Sequence, residues 1–357
     1  MLYKIEGLRG ILVSLVILAH SLPIFYPEPQ FMVALDFIPD LLFIISGYVI
    51  SLVYQNRITK NVVSFKDFFL LRFARIYPLH LFMIIAIIVY LLMKQLLHLP
   101  QEFSITENID TLLTNLLLLH SVGIHESLNW NFPSWSISGE FYTYLLYYIG
   151  LKTFDIKKSS YMPLLVSILL YSFLFFYIAT ESFAHHSYDL GMLRCIAGFY
   201  LGIFIFRLKN KLNYALKKKT IYIMEYFCVF VILLLISTYR PNQVIHSVLI
   251  IVTFGLLVFC FTESQNGRIG NYLLFDFLQQ VGKKSYSIYM VHTLIIWLLL
   301  LLFRDLMKLD LSYGIKGLFF YLVTCLLTFL GSRFTYIYIE DFYRQKMKKY
   351  LMKNLKN

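Results

Sequence analysis

The first apolar stretch of the sequence, EGLRGILVSLVILAH, carries an arginine near its start and a histidine at its end. Arg9 and His20 are eleven residues apart, which in an α-helix gives about 16 Å of rise and about 1100° of rotation, three turns plus roughly 20°. Both side chains therefore lie on one helix face. A fixed cation below an imidazole would suit an anionic ligand with a reactive head; the alternative is a neutral His20 bonded to a neighbouring helix.

A pair of arginines in the segment FKDFFLLRFARIYPLH indicates phosphate binding. Arg72 and Arg75 are spaced i, i+3, so they share a face of the predicted helix. A guanidinium binds phosphate oxygens in a bidentate manner, and the predicted topology places this pair on the same side of the membrane as Arg9. Three converging arginines predict a site for a phosphate-rich cytosolic ligand. The alternative is anchoring of the helix end at the membrane surface.

A carboxylate follows a group of interfacial aromatic residues in NWNFPSWSISGEFYTYLL. Glu140 lies several residues inside the predicted span, where an interfacial aromatic belt does not explain a carboxylate. It could orient or deprotonate an imidazole, or accept a hydrogen bond from a sugar hydroxyl. Weaker candidates for substrate contacts are Asp40, Trp135, Ser136, Ser138 and His292.

These side chains belong to a chain that is too apolar for a soluble globular domain, since 59% of its 357 residues are hydrophobic and 15% are charged. Several apolar runs are long enough to cross a hydrocarbon core of about 30 Å as helices. The expected fold is an all-α polytopic membrane protein with about ten transmembrane helices. The predicted spans are approximately 8–26, 33–54, 74–97, 134–152, 161–179, 190–206, 221–238, 244–262, 286–303 and 315–338.

Charge in the loops predicts the orientation of the chain. If the N-terminus is cytoplasmic, most of the 32 lysine and arginine residues fall on the cytoplasmic side, so both termini are expected there. The net charge of +12 then reflects topology and attraction to anionic lipid, and nucleic acid is not an expected partner. We expect one membrane domain over 1–343 and a basic cytoplasmic tail over 344–357. The four cysteines lie in apolar runs without metal-ligand spacing, and no metal site is predicted.

The motifs together resemble those of the acyltransferase-three family of integral membrane acyltransferases. EGLRGILVSLVILAH is similar to the family's opening, in which the first span carries an arginine, ten residues and a histidine. DLLFIISGYVIS, RFARIYP and WSISGEFY are similar to its next three motifs, and RCIAGFYLGIFIFRL, SYSIYMVH and IEDFY to later, looser ones. The matches run in order from residue 6 to about residue 343.

The resemblance implies a ten-helix protein that takes an acyl group, usually acetyl, from cytosolic acyl-coenzyme A. The acceptor it implies is a hydroxyl or amine of a glycan or lipid-linked sugar. On this resemblance, functional positions of the family fall on Arg9, His20, Arg72 and Arg75, and its span-four carboxylate falls on Glu140. Some relatives add a soluble hydrolase-like domain. Without one, the chain is expected to finish the transfer alone or to hand the acyl group to a separate extracytoplasmic acyltransferase.

The mechanism expected from these residues is acyl transfer at His20. The three arginines would bind the phosphates of coenzyme A, and His20 would act as general base or as transient acyl carrier, with Glu140 as orienting group or proton acceptor. No permanently bound cofactor is expected, and acetyl-coenzyme A would be the donor substrate. The expected location is a bacterial cell membrane, in contact with its lipids. Rival interpretations are a transporter or flippase for an anionic solute or lipid-linked sugar, and a lipid-binding scaffold without turnover.

Overall fold

The computed structural model describes most of the chain, and the described part is helical without strands. The described residues are 2–25, 30–99, 109–153, 160–178, 186–212, 216–240, 243–263, 267–309 and 315–354. Ten long helices among them overlap the ten predicted spans, and the largest difference is in the third, which begins at Phe65 rather than near residue 74. They are α1 (Tyr3–Ser21), α2 (Ile38–Thr59), α3 (Phe65–Leu96), α4 (Trp135–Thr153), α5 (Met162–Tyr177), α6 (Gly191–Leu212), α7 (Lys218–Ser237), α8 (Val244–Phe261), α9 (Ser285–Leu300) and α10 (Ile315–Thr335).

The last two long helices continue beyond their α-helical bounds. α9 ends in a π-helical turn, Leu301–Leu306, and α10 ends in another, Tyr336–Asp341. The second turn leads directly into α11, Phe342–Asn354. Most of the predicted basic tail is therefore a helix continuous with the last span. Shorter helices elsewhere are Gln30–Val33, Ile109–Leu116, Arg268–Tyr272 and Asp276–Lys283.

Eight of the ten long helices, within the described residues, are long and apolar enough to cross a membrane. The other two are α4, which is rich in tyrosine and serine, and α5, whose 16 residues extend about 24 Å. The predicted all-α polytopic membrane fold is confirmed. The cytoplasmic placement of both termini stays a prediction from the loop charges. The end of the bundle that carries Arg9, Arg72 and Arg75 is called the basic end below.

Glycines allow α2 and α6 to pack backbone against backbone. A Cβ on Gly47 would lie 1.9 Å from the carbonyl oxygen of Phe199, and a Cβ on Gly202 would lie 2.0 Å from that of Ile44. Small residues at such positions permit close helix approach in membranes. Because α2 also carries Ser46 into the site described below, this contact fixes one wall of that site.

Replacing Gly47 with Ala is expected to destabilise the bundle, because the added methyl group would overlap the backbone of Phe199. Overpacking of a dense core costs about 1–3 kcal/mol. The measurement is the thermal midpoint at which purified protein in detergent loses its monodisperse peak. Gly255→Ala is the matched control, since the nearest atom to its Cβ would be Leu201 Cδ2 at an ordinary contact distance of 3.5 Å. Equal midpoints for the two variants would contradict the packing described.

Candidate active site

A cavity of about 660 Å³ lies at the basic end of the bundle. Its walls come from α1, α2, α3, α4, α9 and α11, and from the short helix Asp276–Lys283. Arg9, Arg72 and Arg75 all line it, and Glu140 lies in the same wall. The weaker candidate Ser136 lines it too, so the structure brings together five of the predicted site residues, which come from three different spans.

The cavity is strongly cationic. Among the described residues, six cationic side chains line it, against the carboxylates of Glu6 and Glu140. The cations are Arg9, Arg72, Arg75, Lys283, Arg344 and Lys348. A cleft lined by one sign of charge concentrates ligands of the opposite sign, so this space suits an anion.

Arg72 is held by aromatic residues and forms no ion pair with a described residue. Its guanidinium donates a hydrogen bond to the Tyr54 hydroxyl at 2.8 Å. It also lies 5.0 Å from the centre of the Tyr54 ring and 5.6 Å from that of Tyr144. Ring faces attract a guanidinium without cancelling its charge. Because Arg72 lines the cavity and no carboxylate of a described residue neutralises it, this arginine can still bind an anion.

Arg75 is instead paired with a carboxylate from the end of the last span. Its guanidinium forms an ion pair with Glu340, whose second oxygen accepts a hydrogen bond from the Ser287 hydroxyl at 2.6 Å. Glu340 is 1% exposed and lies in the π-helical turn Tyr336–Asp341, a kind of turn that is frequent at functional sites. Arg75 therefore ties α3 to α9 and to the end of α10.

Glu140 contacts α2 rather than α1. Its carboxylate accepts a hydrogen bond from the Ser46 hydroxyl, which lies 2.9 Å from the hydroxyl of Tyr144. Ser46 and Tyr144 line the same cavity. No contact between Glu140 and His20 occurs among the described residues, so a role for Glu140 in orienting the imidazole stays a prediction.

His20 contacts a second histidine. The Nε2 atom of His292 on α9 lies 3.1 Å from Nδ1 of His20. Nδ1 of His292 lies 2.6 Å from the carbonyl oxygen of Tyr289, and Nδ1 of His20 lies 3.0 Å from that of Val16. Because a carbonyl only accepts, this geometry assigns the proton of each neutral ring to Nδ1. The lone pair of His20 is then on Nε2, where it can take a proton or attack a carbonyl carbon.

Tyr289 belongs to the cavity wall and also contacts the histidine pair. It lines the cavity, and its hydroxyl donates to the carbonyl of Pro133 at 2.7 Å and accepts from Ser136 at 3.0 Å. Its ring centre lies 5.8 Å from that of His292. His20 and His292 are not among the described residues that line the cavity. Tyr289 is thus the cavity residue in contact with His292, and its position one helical turn before His292 in SYSIYMVH could have indicated it.

The sequence as a whole matches a known family model, described as an acyltransferase domain, over residues 2–337. The chain belongs to the acyltransferase-three family. It is accordingly a multi-pass membrane acyltransferase. No curated protein and no solved structure matches it.

Four of the weaker candidates in this acyltransferase lie outside the cavity, namely His292, which contacts His20, and Asp40, Trp135 and Ser138. Asp40 Oδ2 is 2.6 Å from Nη2 of Arg194, and both side chains are fully buried. The Arg194 guanidinium lies 5.0 Å from the centre of the Trp135 ring, so the group joins α2, α4 and α6. Ser138 donates a hydrogen bond to the carbonyl of Leu118 at 2.5 Å. The substrate-binding roles of Asp40, Trp135 and Ser138 stay predictions.

The loop before α4 covers the histidine pair of the acyltransferase. Phe132 places its ring centre 5.5 Å from that of His20. Two residues on, the Ser134 hydroxyl lies 2.9 Å from Nε2 of His120. Burial, and to a lesser extent neighbouring His80, lowers the pKa of His120 to about 3, so this ring is neutral at physiological pH. The hydrogen bond between Ser134 and the neutral His120 thus stabilises the loop that places Phe132 against His20.

Replacing His292 with Phe is expected to slow acyl transfer, because His20 loses an acceptor for its Nδ1–H. Loss of one such hydrogen bond predicts a fall in kcat of roughly ten- to a hundredfold. His292→Gln keeps an acceptor oxygen and should retain most of the activity, which a purely space-filling role for His292 would not explain. The measurement is kcat for purified variants that elute as monodisperse protein. An unchanged kcat in the Phe variant would count against the pairing.

Proposed function

We propose that this membrane acyltransferase transfers an acetyl group from cytosolic acetyl-coenzyme A to a hydroxyl of a cell-envelope glycan or lipid-linked sugar. The observation that carries the proposal is the arrangement of two sites along α1. A cation-lined cavity surrounds Arg9, and an imidazole with its lone pair on Nε2 follows at His20. A donor with phosphates at one end and a thioester at the other matches both sites.

Donor binding would use the arginines in two different ways. Arg9 and Arg72 form no ion pair with a described residue and would bind the pyrophosphate, whereas Arg75 is paired with Glu340 and would shape the wall. The pantetheine arm would then follow α1 for about 16 Å, the helical rise between Arg9 and His20. A turn of the Tyr289 side chain would let the thioester pass.

At His20 the acceptor hydroxyl would give its proton to Nε2 while its oxygen attacks the thioester carbonyl carbon. The carbon–sulfur bond then breaks, and the leaving thiolate takes the proton from Nε2. His292 Nε2 and the Val16 carbonyl accept hydrogen bonds from Nδ1–H of His20, which stabilises the positive charge on the ring. The same lone pair would serve a transient acyl carrier: Nε2 attacks the carbonyl carbon and the carbon–sulfur bond breaks. The acceptor oxygen then takes the acyl group as the carbon–Nε2 bond breaks, and the hydroxyl proton passes to the thiolate.

The acceptor sugar would approach His20 from the side of the loop before α4. That loop contacts His20 through Phe132 and carries hydroxyl, amide and imidazole side chains of the kind that bind sugar hydroxyls. The resemblance described above supports a glycan or lipid-linked sugar as acceptor. A separate extracytoplasmic acyltransferase could receive the acyl group instead and complete the transfer.

A transporter or flippase for an anionic solute or lipid-linked sugar is the rival function. The cationic cavity suits an anion in either case, and membership of an acyltransferase family favours the enzyme. Proteoliposomes given radiolabelled acetyl-coenzyme A and crude cell-envelope glycan separate the two. Label recovered in glycan supports the enzyme, and uptake of an intact anionic solute without label transfer supports the transporter.

His20→Ala is expected to abolish label transfer in this assay while leaving protein yield unchanged, because no other ring nitrogen replaces Nε2 in the same position. A loss of at least a hundredfold is expected for the removal of a general base, which supplies roughly 10²–10⁴-fold. His98→Asn is the control, since His98 is exposed and asparagine tolerates its positive φ of 54°. Full transfer by the His20→Ala variant would refute the mechanism.

Arg72→Ala is expected to weaken donor binding, whereas Arg75→Met is expected to lower the stability of the protein. Loss of Arg72 removes an unpaired cation, so KM for acetyl-coenzyme A should rise about tenfold or more with the thermal midpoint unchanged. Loss of Arg75 leaves Glu340 buried without its partner, so the thermal midpoint should fall.

The double variant Arg75→Met/Glu340→Gln is the control for this pair, because it removes both charges together. It should recover much of the thermal midpoint lost in Arg75→Met. An unchanged donor KM in Arg72→Ala would show that Arg72 only anchors the helix end.

A further inference from the structure

The C-terminal helix α11 contributes two cations to the cavity. Arg344 and Lys348 line it, although both lie beyond residue 337, where the family match ends. They are spaced i, i+4, so they share a helix face and lie about 6 Å apart along its axis. α11 packs against α3, the helix that carries Arg72. The cavity is therefore completed by α11, a segment that the sequence alone predicts to be a basic cytoplasmic tail.

Ion pairs at its start hold α11 in this position. Arg344 pairs with Asp341 one turn earlier, and the neighbouring Glu340 pairs with Arg75 of α3. The Nε atom of Arg344 is buried without a hydrogen-bond partner. Lys348 forms no ion pair with any residue that the structure describes. Two donors thus face the cavity from a fixed support.

The cavity holds more positive charge than a pyrophosphate needs. If the thioester reaches His20, the pyrophosphate of coenzyme A lies near Arg9 and Arg72. The remaining phosphate of coenzyme A, on the 3′ position of its ribose, is farther from the thioester. The cavity has three further cations. Lys283 is at the end of the helix Asp276–Lys283, and Arg344 and Lys348 are on α11.

Resting on the proposed function, we propose that Arg344 and Lys348 of α11 form the binding site for the ribose 3′-phosphate of coenzyme A. A phosphate dianion there would accept hydrogen bonds from the Arg344 guanidinium and the Lys348 ammonium group. The site would let the enzyme distinguish coenzyme A from carriers that have the same pantetheine arm and pyrophosphate but no 3′-phosphate. α11 would then be part of the donor site rather than a membrane-surface tail.

The test compares the binding of coenzyme A and of dephospho-coenzyme A, which lacks only the 3′-phosphate, to the purified full-length chain in nanodiscs. The wild type is expected to bind coenzyme A roughly tenfold or more tightly than the dephospho form. In Arg344→Gln/Lys348→Gln this ratio should fall close to one. The matched control is Lys346→Gln/Lys349→Gln, which removes two exposed charges of α11 that do not line the cavity and should keep the wild-type ratio.

The remaining outcomes of this experiment either overturn or uphold the α11 site. Equal affinities for the two ligands in the wild type, or a wild-type ratio in Arg344→Gln/Lys348→Gln, would overturn the α11 site even if acetyl transfer is confirmed. The same loss of ratio in the control variant would also overturn it, because a general effect of charge would then explain the result. The protein could also prefer coenzyme A over dephospho-coenzyme A through α11 and yet transfer no label to glycan. That result would uphold the site and refute the proposed transfer. Absence of coenzyme A binding would refute both.

Discussion

A charged side chain in apolar surroundings must be paired or must face water. The cations of the bundle accordingly fall into two groups, those in ion pairs and those that line the cavity without a carboxylate partner among the described residues. Arg194 and Lys94 are buried in ion pairs with Asp40 and Asp305, and the partly exposed Arg75 pairs with the buried Glu340. Arg9 and Arg72 form no such pair with a described residue and line the cavity. Cations paired with a carboxylate of another helix hold the helices together, whereas Arg9 and Arg72 remain able to bind an anionic donor.

The same constraint acts on the imidazoles. A ring within the bundle is best accommodated when it is neutral and hydrogen bonded, and backbone carbonyls hold the Nδ1 protons of His20 and His292. That requirement of folding leaves the His20 lone pair on Nε2, which is the atom that acyl transfer requires. Tyr289 links the two regions, because its carbonyl orients His292 while its side chain forms the cavity wall. Stability and chemistry thus depend on the same few hydrogen bonds.

Spacing within one helix could be predicted from the sequence, and pairing between distant helices could not. The apolar runs located the ten long helices, and helical geometry with loop charge predicted that Arg9 would meet Arg72 at one end. The Arg75–Glu340 pair joins residues 265 positions apart, and no local pattern encodes it. The contribution of Arg344 was also missed, because a run of basic residues after a last span usually indicates contact with lipid headgroups. Only the continuation of α10 through a π-helical turn carries that arginine back to the cavity.

The central claim is that one ligand extends from the cation-lined cavity to His20. An experimental structure of the chain with an unreactive thioether analogue of acetyl-coenzyme A tests it most directly. The account predicts phosphates against Arg9 and Arg72, and the acyl group at His20 Nε2 at a reactive separation of roughly 3–3.5 Å. Phosphates bound in the cavity with the acyl group directed away from His20, or an analogue bound elsewhere, would contradict it.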